Sequence, residues 1–144
     1  MIIRRLADPV ATRALGAELA GLARVGDAMM LEGPLGAGKT TLARGFLAAA
    51  TGQAGLVVPS PSYTLVQTYE TRLGPVHHFD LWRLDGPGAL GELGWDEALG
   101  DIVLVEWPDR LAAQRPAWAL TVGLMLSGEE SREARLEGWV ERLG

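Results

Sequence analysis

Apolar and polar positions in this chain switch repeatedly between a helical and a strand spacing. Leu15, Leu19 and Leu22 fall on one face at helical intervals, and Asp8-Pro9 supplies an N-cap followed by proline at the first helical position. The spacing predicts a helix from there to about Arg24. Gly26-Asp27 then turns the chain into Ala28-Met29-Met30-Leu31-Glu32, an apolar run whose length fits a buried strand. Helical spacing returns from Thr40 to Ala50, with Leu42, Phe46 and Leu47 on one face. Thr51-Gly52-Gln53 supplies the glycine stop.

Two prolines in Val57-Val58-Pro59-Ser60-Pro61-Ser62 forbid a helix there. Tyr63 to Glu70 and Val76 to Leu84 alternate as strands, and the turn Arg72-Leu73-Gly74-Pro75 between them predicts an antiparallel hairpin. Beyond Gly86-Pro87-Gly88, Ala89 to Leu93 and Trp95 to Leu99 form short helical pieces. Ile102-Val103-Leu104-Val105-Glu106 has the continuous apolar character of a central parallel strand, which Trp107-Pro108 stops. Ala119 to Leu126 and Arg132 to Gly138 predict a further pair of strands joined through Ser127-Gly128. The fold class is α/β: one domain with a mixed central sheet, an antiparallel hairpin and flanking helices.

One junction in this pattern carries chemistry. Gly33-Pro34-Leu35-Gly36-Ala37-Gly38-Lys39-Thr40 lies between the first buried strand and the second helix and fits G-x-x-x-x-G-K-[ST], the Walker A pattern of a P-loop. Its glycines let the backbone turn tightly and present successive N–H groups to phosphate oxygens, as does the positive end of the helix beginning there. Lys39 supplies a point charge for the β- and γ-phosphates, and the Thr40 hydroxyl can ligate Mg²⁺. Of 13 basic residues Lys39 alone is a lysine, so the other twelve are arginine. A planar fork cannot stand in for a compact ammonium inside such a loop.

Composition narrows the remaining classes. The net charge of −5, with no basic cluster longer than Arg4-Arg5, argues against direct binding of DNA or RNA. There is no cysteine for a disulfide or a thiolate metal site. No run approaches the roughly 18 apolar residues of a membrane span, and the first residues lack the pattern of a signal peptide. A cytoplasmic protein is expected.

Hydrolysis at a P-loop needs Mg²⁺ held by the loop hydroxyl and a carboxylate, plus a group that positions water. Glu106, after four apolar residues, has the place of a Walker B acid. Asp80 in Val-His-His-Phe-Asp-Leu repeats that pattern less strongly. An acid at the carboxyl end of a strand in an open α/β sheet faces the ligand crevice. Ser60, Ser62 and Thr64 occupy a proline-bounded loop of the kind that switches contact with a γ-phosphate. His77 and His78 are neighbours in a strand and therefore point to opposite faces, which disfavours a joint metal site. Trp107 fits either a stacking or a core role.

Four stretches together resemble the TsaE (YjeE) family of small P-loop ATPases that serve threonylcarbamoyladenosine synthesis in bacterial tRNA. They are Leu31 to Gly45 around the loop, Ser60-Pro61-Ser62-Tyr63-Thr64-Leu65-Val66, His78-Phe79-Asp80-Leu81-Trp82-Arg83-Leu84, and Leu104-Val105-Glu106-Trp107-Pro108. The resemblance implies a P-loop NTPase fold and an Mg²⁺-dependent ATPase with weak basal activity. Its partners would be the TsaB and TsaD proteins, with tRNA met only through their complex. Lys39, Asp80 and Glu106 would be the catalytic residues, and Thr40, Glu106 and Asp80 would hold Mg²⁺. The nucleotide would be met by Gly33, Leu35, Gly36, Ala37, Gly38, Lys39, Thr40 and Thr41. Thr12, Thr64, Trp107 and Arg132 would complete that site. Pro34 stands where the family usually has an acid, Ser62 where threonine is commoner, and Trp82 where tyrosine is.

Three other functions compete. A small-molecule kinase would need an acceptor pocket and usually an arginine-bearing lid, for which 144 residues leave little room. A regulatory GTPase would read guanine with Asn-Lys-x-Asp, which a chain without asparagine does not contain. A nucleotide-dependent binding switch with little turnover stays open.

Overall fold

A computed structural model describes residues 1–143. Among them, one sheet runs in the order β1-β7-β6-β2-β5-β4-β3. Its centre is built from the apolar runs. β2 (Ala28–Glu32) lies between β5 (Ile102–Glu106) and β6 (Leu120–Leu126), parallel to both, and β4 (Gly74–Asp80) adds in parallel on the far side of β5. All five residues of β5 are buried, as expected for a strand covered on both faces. β3 (Val66–Thr71) pairs antiparallel with β4 at one edge. At the other, β7 (Arg132–Glu137) is antiparallel to β6, and β1 (Ile2–Leu6) antiparallel to β7.

The period-2 alternation divides the interior into two layers. Met29, Leu31, Ile102 and Leu104 face α1 (Pro9–Leu22) and α2 (Lys39–Thr51). Ala28, Met30, Val103 and Val105 face the layer that holds Leu90, Trp95 and Leu111, in the 3-10 helix Pro87–Leu93, α3 (Trp95–Ala98) and the 3-10 helix Pro108–Gln114. α4 (Val140–Leu143) follows β7, where Arg142 pairs with Asp27 at 2.5 Å.

α1 and α2 touch backbone to backbone. A Cβ on Gly16 would lie 2.1 Å from the Leu42 carbonyl oxygen, and one on Gly45 would lie 2.1 Å from that of Arg13. These two glycines set the interhelix distance and so fix where α2 begins. At its N-terminus α1 is capped by Asp8, whose side chain accepts from the Ala11 N–H at 2.9 Å.

Several expected boundaries move, each for a local reason. α1 stops at Leu22 rather than Arg24, because Ala23 is already extended and the Arg24 N–H is taken by the Asp27 carboxylate at 2.6 Å. β3 begins at Val66 rather than Tyr63. Leu65 is left-handed (φ 68°) and its N–H bonds the Pro61 carbonyl, so this stretch is a turn. β4 begins at Gly74 and ends at Asp80 instead of Leu84, since the Leu84 N–H closes a turn on the Leu81 carbonyl. β1 has no counterpart in the expected elements. It is a five-residue edge strand with arginines at two consecutive positions, Arg4 and Arg5, and the strand it pairs with lies at the other end of the chain.

Candidate functional site

Glycines at positive φ shape the loop between β2 and α2. Gly33 has φ 144°, and a Cβ there would sit 2.5 Å from the Leu124 carbonyl oxygen. Gly38, at φ 101°, is the left-handed residue that starts α2. Together they turn the chain so that the first N–H groups of α2 open into a cleft lined by Leu35 to Thr41, Ser60, Ser62, Asp80, Trp82, Glu106 and Trp107.

Sheet register explains how the two acids reach this cleft. Asp80 pairs directly with Glu106 across the parallel β4–β5 ladder, both at strand carboxyl ends. Val76, Ile102 and Leu104 on the same strands face the α2 layer, and even-numbered side chains share that face. Asp80 and Glu106 therefore stand side by side beneath the N-terminus of α2, each 3% exposed. The partial positive charge of a helix N-terminus favours carboxylates there.

Each acid has its own set of donors. The Thr40 hydroxyl donates to Glu106 at 2.8 Å to Oε1 and 3.0 Å to Oε2. The His78 Nε2 lies 2.7 Å from Glu106 Oε2 in a fully buried contact. Asp80 accepts from Ser62 Oγ at 3.0 Å, from Ser60 Oγ at 3.4 Å and from the Trp82 N–H at 3.1 Å. The proline-bounded loop is thus tied to the second acid by two hydroxyls.

Lys39 is buried and bonds the Gly33 and Pro34 carbonyls, the latter at 3.1 Å. Its ammonium also lies 3.7 Å from the centroid of the Trp107 ring. Burial pushes the Lys39 ammonium below the ordinary lysine range, while the charges of Glu106, Asp80 and Asp109 act the other way. Trp107 is itself left-handed (φ 59°) where β5 breaks at Pro108, a conformation that costs a non-glycine residue energy. Its ring leans on Trp82, with centroids 4.4 Å apart.

The remaining expected residues lie outside the cleft wall. Thr12 is buried on α1 behind the loop, its methyl 3.5 Å from where a Cβ on Gly38 would be. Arg132 holds the outer side of the loop, donating to the carbonyls of Gly36 and Ala37 at 3.1 Å each. Thr64 does not line the cleft. The Leu65 turn carries it to the surface, where its hydroxyl accepts from Gln67. His77 bonds Thr68 and Asp101 on the opposite face of β4.

His78 was not among the residues expected to reach the site. Its one legible signal is the i, i+2 spacing from Asp80, which puts both on one face of a strand. Trp82 likewise gave no functional signal of its own.

Comparison with known proteins decides the family. The family model described as threonylcarbamoyl adenosine biosynthesis protein TsaE matches residues 6–134. This chain belongs to the TsaE family. The TsaE span contains the P-loop, both acidic strand ends and Arg132. TsaE of Bacillus subtilis is 34% identical over 135 residues, covering 90% of this chain and 80% of the relative. TsaE of Rickettsia felis is 38% identical over 99 residues, covering 68% of this chain and 57% of that longer relative. A crystal structure of Bacillus subtilis YdiB superimposes with a TM-score of 0.76 at 30% identity, over 94% of this chain and 83% of that one. Among the described residues, no helix is long and apolar enough to cross a membrane.

Proposed function

We propose that this chain binds ATP at the P-loop and hydrolyses it with Mg²⁺ as a single ATPase domain. It would do so in service of threonylcarbamoyl modification of the adenosine beside the anticodon in tRNA. The observation that carries the reading is the contact of Thr40 with Glu106, which joins the loop hydroxyl to the strand-end carboxylate. Thr40, Glu106 and Asp80 offer hard oxygen donors and too few of them to enclose an ion alone. That suits Mg²⁺, which keeps waters and substrate phosphates in its shell. When bound, the ion would neutralise charge on the β- and γ-phosphates.

This chain's own residues would do the rest. The N–H groups of residues 36–41 cradle the phosphates, and Lys39 exchanges two backbone carbonyls and an aromatic face for phosphate oxygens. Asp80, oriented by Ser60, Ser62 and the Trp82 N–H, accepts a hydrogen bond from the attacking water and orients it. Arg132 keeps the Gly36 and Ala37 carbonyls turned away from the ligand, and Thr12 backs the loop. Trp107 flanks the nucleotide, with Thr64 on the adjoining loop.

The family assignment supports the TsaB and TsaD proteins as partners, tRNA met through their complex, and action in the cytoplasm. Low turnover by the isolated chain fits the way Lys39 is engaged by its own loop and Trp107. A second reading, ATP as a docking switch with little turnover, draws on the Ser60 and Ser62 contacts that tie the exposed loop to Asp80.

Support of tRNA modification by Asp80→Ala in cells lacking the native gene tests the choice. If nucleotide binding survives and modification is lost, hydrolysis is the function. Unimpaired modification would instead favour the switch.

A further inference from the structure

His78 is the one polar side chain in the site whose presence costs the fold something the mechanism above does not use. It is fully buried, and its Nδ1 has no hydrogen-bond partner among the described residues. Burying a polar nitrogen without a partner is unfavourable, and an aliphatic residue of similar volume would avoid the cost altogether. Among the described residues, the only polar contact His78 gains is the 2.7 Å bond to Glu106. An ionised carboxylate only accepts, so Nε2 is the donor in this contact.

The geometry makes that bond a brace. Glu106 sits at the end of β5, and His78 projects from β4 one step behind it, in register with Leu104. Thr40 approaches the carboxylate from the cleft side, while His78 holds Oε2 from within the sheet. With both in place, rotation about the last side-chain bond of Glu106 breaks at least one hydrogen bond. Asp80 has no such dependence, since Ser60, Ser62 and the Trp82 N–H orient it independently.

We infer that His78 is a positioning residue for the metal-binding carboxylate: it acts through Glu106 to set the affinity for the divalent cation, and does not touch nucleotide. The inference rests on the reading of Glu106 as an Mg²⁺ ligand. Partners that orient a metal ligand typically change metal affinity by about 10- to 100-fold when removed.

Mn²⁺ serves as the probe, its binding to the full chain saturated with ADP followed by loss of the free-ion electron paramagnetic resonance signal. His78→Leu removes the donor and the unpartnered nitrogen together. His78→Gln keeps an N–H donor near the reach of Nε2, whereas His78→Asn is too short to bridge to Glu106. Mn²⁺ affinity should fall on the order of tenfold in His78→Leu and His78→Asn and return to within about threefold of wild type in His78→Gln. ADP affinity measured in EDTA should stay within about twofold throughout, which a general loosening of the fold would not allow.

The Gln–Asn pair carries the test if His78→Leu fails to fold. Wild-type Mn²⁺ affinity in His78→Asn overturns the inference, as does an equal loss in His78→Gln and His78→Asn. Glu106→Gln separates the two levels. If it too leaves Mn²⁺ binding intact, the metal reading of Glu106 falls and takes this inference with it. If Glu106→Gln weakens binding and His78→Asn does not, only the role of His78 is refuted.

Discussion

The Lys39 ammonium lies over the face of Trp107, 3.7 Å from the ring centroid, while donating to the carbonyls of Gly33 and Pro34. Such a cation–π contact is worth about 0.5–2 kcal/mol. Phosphate oxygens carry full negative charge where the two carbonyls present only dipoles, so the exchange favours the nucleotide once the phosphates arrive. Trp107 should report that exchange. Adding ADP is expected to change the tryptophan emission saturably, and Trp107→Phe should abolish most of the change although four other tryptophans remain. An undiminished change in Trp107→Phe would show that Lys39 does not leave the ring.

The burial that lowers the Lys39 pKa gives nucleotide affinity a pH dependence. Phosphate binding needs the charged ammonium, and in the free protein that charge is lost at a pH below the ordinary lysine value of 10.5. Affinity should hold through neutral pH and fall as the solution is made alkaline, with the fall beginning before pH 10.5. Lys39→Arg should be weaker throughout and show no such titration, because arginine stays charged. Titration calorimetry from neutral to alkaline pH checks both, and a wild-type affinity that stays flat would contradict the assigned role of Lys39.

Asp80 and Glu106 are adjacent in register but held by separate donors, so their substitutions should separate. Asp80→Ala is expected to leave nucleotide affinity within a few-fold and to lower turnover by about 10²-fold or more, the usual scale for a positioned general base. Single-turnover hydrolysis alongside nucleotide binding distinguishes these effects. A parallel loss of binding and turnover would make Asp80 a binding residue instead.

The α1–α2 contact yields a stability prediction with an internal control. Gly16→Ala and Gly45→Ala each place a methyl 2.1 Å from a backbone carbonyl oxygen, a clash that backbone shifts can relieve only in part. Each should cost about 1–3 kcal/mol. Gly21→Ala, on the exposed side of the same helix α1 with nothing within 4 Å, should stabilise by about 0.5–1 kcal/mol. Chemical denaturation of the three variants measures the contrast.

The residues that were legible in the sequence share one property: their signal is local. The apolar runs of β2 and β5, the glycines and lysine between β2 and α2, and the acid ending β5 each announce themselves within a few positions. What was not legible depends on pairing across the chain. β1 is a strand because β7 lies beside it, and the hydrophobic pattern of Met1 to Leu6 does not show that. His78 reaches Glu106 only because the β4–β5 register pairs it with Leu104, two residues before Glu106 on the same face. Thr64 shares its sequence neighbourhood with Ser60 and Ser62, yet one left-handed residue at Leu65 sends it to the surface. Proximity along the chain could not separate those three hydroxyls; the turn did.

The Thr40, Glu106 and Asp80 cluster is expected to make this chain an Mg²⁺-dependent ATPase. The most direct test is phosphate release from ATP by the purified chain, with and without Mg²⁺, alone and then with the TsaB and TsaD proteins and tRNA. Slow release is expected that requires Mg²⁺, rises when the partners are added and falls about 10²-fold or more in Asp80→Ala. No Mg²⁺-dependent release under any of these conditions, from a chain that still binds ATP, would contradict it.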